Sequence, residues 1–161
     1  MTARRRVVIT GLGSVSAAGC GGSALVADAL ARRTPTIAPV KAFALEGCPS
    51  RLAAEVDDAR LMSLLDPDAV RRLSRICRMA VAACRLAAED AGLEGGRGLG
   101  LTVGSEYGDF RSGAEFFNGF LRRGPAGLSP MIFPNTVMNS MAAVVAIAIG
   151  AKAPSITLNQ G

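Results

Sequence analysis

The side chains best suited to covalent chemistry are four cysteines, Cys20, Cys48, Cys77 and Cys84, and the chain contains no histidine. No two of the cysteines form a Cys-x-x-Cys pair, so their spacing is not that of a zinc site. We therefore expect no metal site, and we expect reduced thiols that are mostly buried. Since histidine is the commonest general base, acyl transfer that requires histidine must obtain it from another chain.

A strand and a glycine-rich loop carry the other candidate residues. The β-branched run from Ser155 to Thr157 predicts a strand that leads to Gln160, which from the residues alone is an ordinary loop residue. A second short buried strand, Leu99 to Val103, leads into the loop 104–108, which contains Tyr107. This loop lacks the Lys-Ser/Thr ending of a phosphate-binding P-loop, so it is weak evidence for a nucleotide site.

Helices and strands alternate along the sequence. The pattern predicts a buried strand over Val7 to Thr10 and a single long helix that starts with Asp66 as N-cap and Pro67 at its first position and ends at Gly92. The segment from Met141 to Ile149 is apolar nearly all round, which is typical of a helix buried on every side. Strands separated by helices indicate an α/β layered fold with a mainly parallel sheet, formed by residues 1–161 as one domain.

Composition limits the classes of function. The chain has 161 residues, half of them apolar, and a net charge of +5. No apolar run approaches the roughly 20 residues of a membrane-spanning helix, so we expect no membrane partner and a cytoplasmic location. Scattered arginines with few aromatic residues argue against nucleic acid as a partner. An acidic protein partner fits this charge.

Five segments together resemble the N-terminal part of the β-ketoacyl-acyl carrier protein synthases, the condensing enzymes of the thiolase superfamily. They occur in the family's order, over the whole chain: RRVVITGLGSVSAAG, RRLSRICRMAVAACRLAAEDAGL, VGSEYG, SPMIFPNTVMNSMAA and GAKAPSITLNQG. The resemblance implies the N-terminal portion of a thiolase-like layered αβαβα fold that ends just before the central nucleophile helix. It implies no cofactor held by this chain, because the family's acyl chains arrive on the phosphopantetheine of a carrier protein.

The resemblance gives Gln160 a specific meaning. In the family the strand that corresponds to SITL runs into a sharp turn that carries the nucleophilic cysteine, and Gln160 lies at the position of that cysteine. A glutamine amide cannot form a thioester, so a catalytic nucleophile is not expected here. The same replacement is found in chain length factors and in decarboxylating ketosynthase domains, and the latter need the two histidines that this chain lacks.

Four further residues take roles from the resemblance. Tyr107 and Phe133 correspond to positions beside the acyl pocket, while Arg71 and Arg72 correspond to basic positions that meet the acidic acyl carrier protein. For each of them an ordinary role, as a core aromatic or a solvated charge, stays open at this point.

The resemblance predicts a chain-length-factor-type subunit, or a split fragment of one, that pairs with a catalytic ketosynthase. The alternative is the N-terminal half of a split condensing or decarboxylating synthase whose histidines lie on a second chain. Both hypotheses expect a separate polypeptide to supply the C-terminal half of the fold. Whether the chain is part of an enzyme is left open, because by itself it lacks the cysteine and histidines of the family's active site.

Overall fold

A computed structural model describes residues 6–32 and 35–159 of the chain. Its contacts divide into two compact units, residues 1–64 with 82–94 and residues 65–81 with 95–161. The strands are β1 (Ser14–Ser16), β2 (Gly19–Gly21), β3 (Ala38–Pro39), β4 (Leu52–Ala53), β5 (Leu101–Gly104) and β6 (Ser155–Leu158). The α-helices are α1 (Ser23–Arg32), α2 (Asp58–Met62), α3 (Pro67–Val70), α4 (Arg75–Asp90), α5 (Phe110–Arg123), α6 (Phe133–Thr136) and α7 (Ser140–Ile149), and a 3₁₀ helix covers Gly124–Gly127.

The sequence predicts a mainly parallel sheet, and among the strand pairs of the described residues one, β5 with β6, is parallel. The two strands run side by side with Leu101 opposite Ser155 and Gly104 opposite Leu158, and α7 packs against both of them. The first of these strands begins two residues later than predicted and is only half buried. Two short antiparallel pairs, β1 with β2 and β3 with β4, belong to the other unit and were not anticipated.

The prediction of a buried strand over residues 7–10 is wrong for this chain. These residues belong to no strand, and the side chains of Val7 and Ile9 are 92% and 82% exposed. A strand of continuous apolar residues is stabilised only when both of its faces are covered, and here they face solvent. The residues that follow do pack closely, because the missing side chains of Gly11 and Gly13 let this backbone lie directly against α4.

The single long helix predicted from Asp66 to Gly92 is broken in two. Its ends are confirmed, since the Asp66 carboxylate accepts a hydrogen bond at the start of α3 and Gly92 has a left-handed φ of 64°. Between α3 and α4, residues 71–74 form a turn. The Arg78 guanidinium donates to the carbonyl oxygens of Val70 and Arg71, each at 3.2 Å, and the Val70 oxygen also accepts from the backbone N–H of Leu73 at 3.0 Å, a tighter turn than that of an α-helix.

Helix α7 is apolar as predicted but is not buried on every side. Met141, Ala142 and Val145 are buried, whereas the side chain of Ile147 is 82% exposed. The β5–β6 pair covers one side of the helix, and the opposite side faces solvent.

The carboxylate of Asp90 joins three segments of the first unit by hydrogen bonds. Asp90, at the end of α4, accepts hydrogen bonds from the backbone N–H of Leu12 at 2.9 Å, the backbone N–H of Ser23 at 3.1 Å and the Ser23 hydroxyl at 2.7 Å. These bonds favour the charged form and hold the pKa of Asp90 below its ordinary value.

Candidate functional site

The loop after β5 is tied to the end of β6. The backbone N–H of Ser105 donates to the carbonyl oxygen of Leu158 at 3.0 Å, which extends the ladder one residue beyond the strands. In parallel sheets the carboxyl ends of the strands are the usual place for a ligand. Gln160, predicted at the nucleophile position, lies outside the described residues, two positions beyond this bond.

Tyr107 lies on this loop and is largely exposed. Its ring meets that of Phe110 edge-on, with centroids 6.4 Å apart and planes at 73°, and 66% of the residue is accessible. A hydrogen bond with the side chain of Glu106 raises the pKa of Tyr107, so the phenol keeps its proton at neutral pH. Tyr107 therefore offers an apolar ring rather than a phenolate at the rim of the loop.

Gly108 makes the sharp turn after Tyr107. It is buried and has a left-handed φ of 56°, a region that side-chain-bearing residues rarely adopt. Its N–H donates to the Ser105 hydroxyl at 2.9 Å. Helix α5 starts directly afterwards with Asp109 as N-cap, whose carboxylate accepts from the Ser112 N–H and hydroxyl at 3.0 and 2.8 Å.

Phe133, the second predicted pocket residue, lies in a separate aromatic pair. Its ring centroid is 5.8 Å from that of Phe116, with the planes tilted by 47°. The structure therefore does not place Tyr107 and Phe133 in ring contact with each other. It connects them through α5, which carries both of their partners, Phe110 and Phe116. Phe116 is not predicted from the sequence, because nothing in its spacing distinguishes it from the neighbouring Phe117.

Arg71 and Arg72 are both exposed in the turn between α3 and α4. Both guanidinium groups are therefore accessible to a charged partner. The Arg78 bonds to the carbonyls of Val70 and Arg71 fix the backbone that presents them.

A second basic group went unnoticed in the sequence. Arg111, Arg122 and Arg123 line an open cavity of about 860 Å³ between α5 and the segment that follows it, together with Glu115. The two adjacent arginines at the end of α5 were its only signal, and cations at a helix C-terminus are common for electrostatic reasons alone.

The four thiols do not form a reactive cluster. All four cysteines are free; Cys77 is buried, Cys20 and Cys84 are half-buried, and Cys48 is exposed, so the prediction that most are buried is wrong. Burial raises the pKa of the Cys77 and Cys84 thiols, which disfavours the nucleophilic thiolate.

Over residues 6–32 and 35–159, no three His, Cys, Asp or Glu side chains come together as a metal site. None of the described helices is both long and apolar enough to cross a membrane.

The chain is similar to known proteins along almost its whole length. The family described as beta-ketoacyl synthase, N-terminal domain, matches residues 4–159. The chain is 31% identical over 159 residues to a 3-oxoacyl-[acyl-carrier-protein] synthase 2 of Coxiella burnetii, covering 96% of this chain and 38% of that protein. It is 34% identical over 170 residues to a granaticin polyketide beta-ketoacyl synthase 1 of Streptomyces violaceoruber, covering 98% and 39%.

A solved structure shares the fold. The ishigamide ketosynthase/chain length factor superposes with a TM-score of 0.78 at 29% identity, over 96% of this chain and 40% of that one. The thiolase-like α/β fold class predicted from the sequence is thereby confirmed. The chain spans about two fifths of the length of these relatives.

Proposed function

The chain belongs to the β-ketoacyl synthase family as an N-terminal domain, and on that premise we propose that it is a non-catalytic, chain-length-factor-type subunit. It pairs with a catalytic ketosynthase in a type II polyketide or fatty-acid complex and shapes the acyl pocket. The observation that carries this proposal is the hydrogen bond between Ser105 and Leu158. It holds the loop that carries Tyr107 against the end of β6, the strand that precedes Gln160 in the sequence.

The residue types at this site support a shaping role over a catalytic one. The sequence supplies an amide at position 160 and no histidine at all, so neither a thiolate nor the usual general base is present. The aromatic residues that the resemblance assigns to the pocket each have a ring partner, Phe110 for Tyr107 and Phe116 for Phe133. Rings of this kind can limit the length of a bound chain without taking part in chemistry.

The second candidate is the N-terminal part of a decarboxylating or condensing 3-oxoacyl synthase whose histidines lie outside these 161 residues. The 31% identity with a 3-oxoacyl-[acyl-carrier-protein] synthase 2 favours it. The first candidate and a condensing form of the second differ in which polypeptide carries the acyl group, and the latter would need a nucleophile other than Gln160.

The location of the covalent acyl group tests this choice. In the assembled complex, meaning this chain with the rest of its ketosynthase fold and its catalytic partner, acyl-carrier substrate should add an acyl mass to the partner alone. The physical reason is that the Gln160 amide is not a nucleophile at neutral pH. Intact mass spectrometry of the separated chains measures the result, with iodoacetamide-treated complex as control. An acyl or malonyl mass on this chain would contradict the proposal.

Truncation of the pocket aromatics should lengthen the product. Tyr107→Ala combined with Phe133→Ala removes two rings from the proposed wall, and each further methylene that becomes buried is worth about 0.8 kcal/mol. The assembled complex should then release products extended by at least one condensation, as measured by liquid chromatography with mass detection. Phe43→Ala is the matched control, since Phe43 is an exposed aromatic of the other unit. An unchanged product distribution in the double variant would rule out a pocket role for these rings.

We propose the acyl carrier protein as the partner of the exposed turn that contains Arg71 and Arg72. Acyl chains reach ketosynthases on the phosphopantetheine of an acidic carrier protein, and Arg71 and Arg72 present exposed positive charge on a fixed turn. Charges of this kind accelerate encounter and are screened by salt. No cofactor bound by this chain is part of the proposal.

Charge reversal should slow carrier docking. Arg71→Glu with Arg72→Glu should lower the association rate constant by about ten-fold or more at low ionic strength, with a smaller effect at high salt. Surface plasmon resonance with the carrier protein measures both. Arg51→Glu with Arg97→Glu makes the same change in net charge at two exposed arginines elsewhere. Equal slowing by both pairs would show that only net charge matters and that the turn is not a docking site.

A further inference from the structure

The side chain of Met138 contacts the loop that carries Tyr107. A Cβ atom built on Gly108 would lie 3.0 Å from both Cε and Sδ of Met138, so the thioether lies directly against the Gly108 backbone. Gly108 is buried at this contact, while Met138 itself is 37% exposed. The thioether therefore contacts the loop at Gly108, the residue that follows Tyr107.

Met138 also connects the two halves of the proposed pocket. It belongs to the short segment between α6, which begins with Phe133, and α7. The Ser105–Leu158 bond fixes the start of the loop and the Asp109 cap fixes its end. Between these two points, Met138 is the side chain that comes closest to the Gly108 position. An unbranched thioether adapts its shape to such gaps, and exchanging it for a smaller side chain leaves the loop unsupported.

We propose that Met138 is a positioning residue for Tyr107, and that the side chain at position 138 thereby determines how selectively the complex releases one product length. The inference rests on the proposed function for its second half only. Loss of the thioether lets the 106–108 segment move toward the vacated space, so the Tyr107 ring loses its defined position at the pocket rim. The pocket then ends at a variable depth, and the products become a mixture of lengths.

The test uses the single tyrosine of the chain. Because Tyr107 is the only tyrosine, 3-fluorotyrosine incorporated into this chain and assembled with unlabelled partners gives one ¹⁹F resonance that reports on position 107. We expect Met138→Ala to shift or broaden this resonance and to widen the product-length distribution, and the isosteric Met138→Leu to restore both. Met131→Ala is the matched control, since Met131 is an exposed methionine of the same unit with 75% of its surface accessible.

A glycine variant supplies an independent check within the same experiment. Gly108→Ala places a methyl group where the thioether lies, at a φ that alanine tolerates poorly, so it should displace the Tyr107 resonance by itself. With Met138→Ala in the same chain, the methyl group occupies the vacated space and the displacement should be smaller. Equal displacement with and without Met138→Ala would show that the two residues are uncoupled and would overturn the inference.

The remaining outcomes separate the inference from the proposed function. An unmoved ¹⁹F resonance in Met138→Ala overturns the inference whatever the products are. A moved resonance with unchanged products, in a complex whose products do respond to Tyr107→Ala, overturns the selectivity claim. If Tyr107→Ala itself leaves the products unchanged, the proposed pocket fails and with it the selectivity claim, while the resonance still decides whether Met138 positions Tyr107.

Discussion

Produced alone, the 161-residue chain is expected to heat-denature without a cooperative transition. Within each of its two units, large apolar side chains lie at the surface. Val7, Ile9 and Ile147 are each more than four fifths exposed. With so little apolar surface removed from water, burial does not offset the conformational entropy of the ordered chain.

The cooperativity of unfolding is measured by differential scanning calorimetry. Near-ultraviolet circular dichroism and binding of an apolar dye report how tightly the side chains are packed. The isolated chain should show no sharp heat-absorption peak, weak aromatic dichroism and strong dye binding, as in other loosely packed states. Co-production with the C-terminal part of a ketosynthase fold should restore a peak and abolish dye binding. A sharp two-state melt of the isolated chain without dye binding would contradict the expectation, and with it the view that these faces await a partner.

Substitution of Gly13 by alanine is expected to prevent assembly of the first unit. A Cβ there would overlap the carbonyl oxygen of Ala83 and lie 2.6 Å from the backbone nitrogen of Ala87. These are helix backbone atoms, which cannot move aside as the end of a side chain can. Overpacking of this kind costs about 1–3 kcal/mol and occasionally more, and we expect the upper end of that range.

The measurement is the yield and melting temperature of the assembled complex. Gly113→Ala is the matched control, since Gly113 lies within α5, has open space around its Cα and has no left-handed φ. Alanine favours the helix there by about 1 kcal/mol over glycine, so the control should be neutral or stabilising. A Gly13→Ala complex with normal yield and melting temperature would show that the N-terminal segment does not pack against α4 as described.

The helix ends that the sequence predicted correctly are local features, because the Asp66 cap and the Gly92 terminus depend on the chemistry of neighbouring residues. The strand Ser155–Leu158 was likewise predicted from its own residues, whereas its register with β5 was not. The predictions that were wrong depend on distant parts of the structure. Burial of residues 7–10, and of the far side of α7, requires neighbours that the described residues do not provide.

In the candidate site, too, the features that depend on distant residues could not be predicted from the sequence. Tyr107 and Phe133 are predicted pocket residues that rest on a family resemblance, and the structure adds their ring partners, Phe110 and Phe116. The break before α4 was not predictable from helix propensity, because it is accompanied by hydrogen bonds from Arg78 back to the preceding helix. The contact of Met138 with Gly108 joins residues thirty positions apart, beyond the reach of any periodicity.

The hydrogen bonds to Asp90 can form only late in the synthesis of this segment, because their donors precede Asp90 by many residues. Asp90 is 78 residues after Leu12 and 67 residues after Ser23. At translation rates of about 5–20 residues per second, Leu12 waits about 4–16 s before its acceptor has been made. During that interval α4 has not been made, so the backbone that follows the apolar residues Val7 to Ile9 has no helix to pack against. The segment that contains Leu12 is thus held in place only after residue 90 has been made.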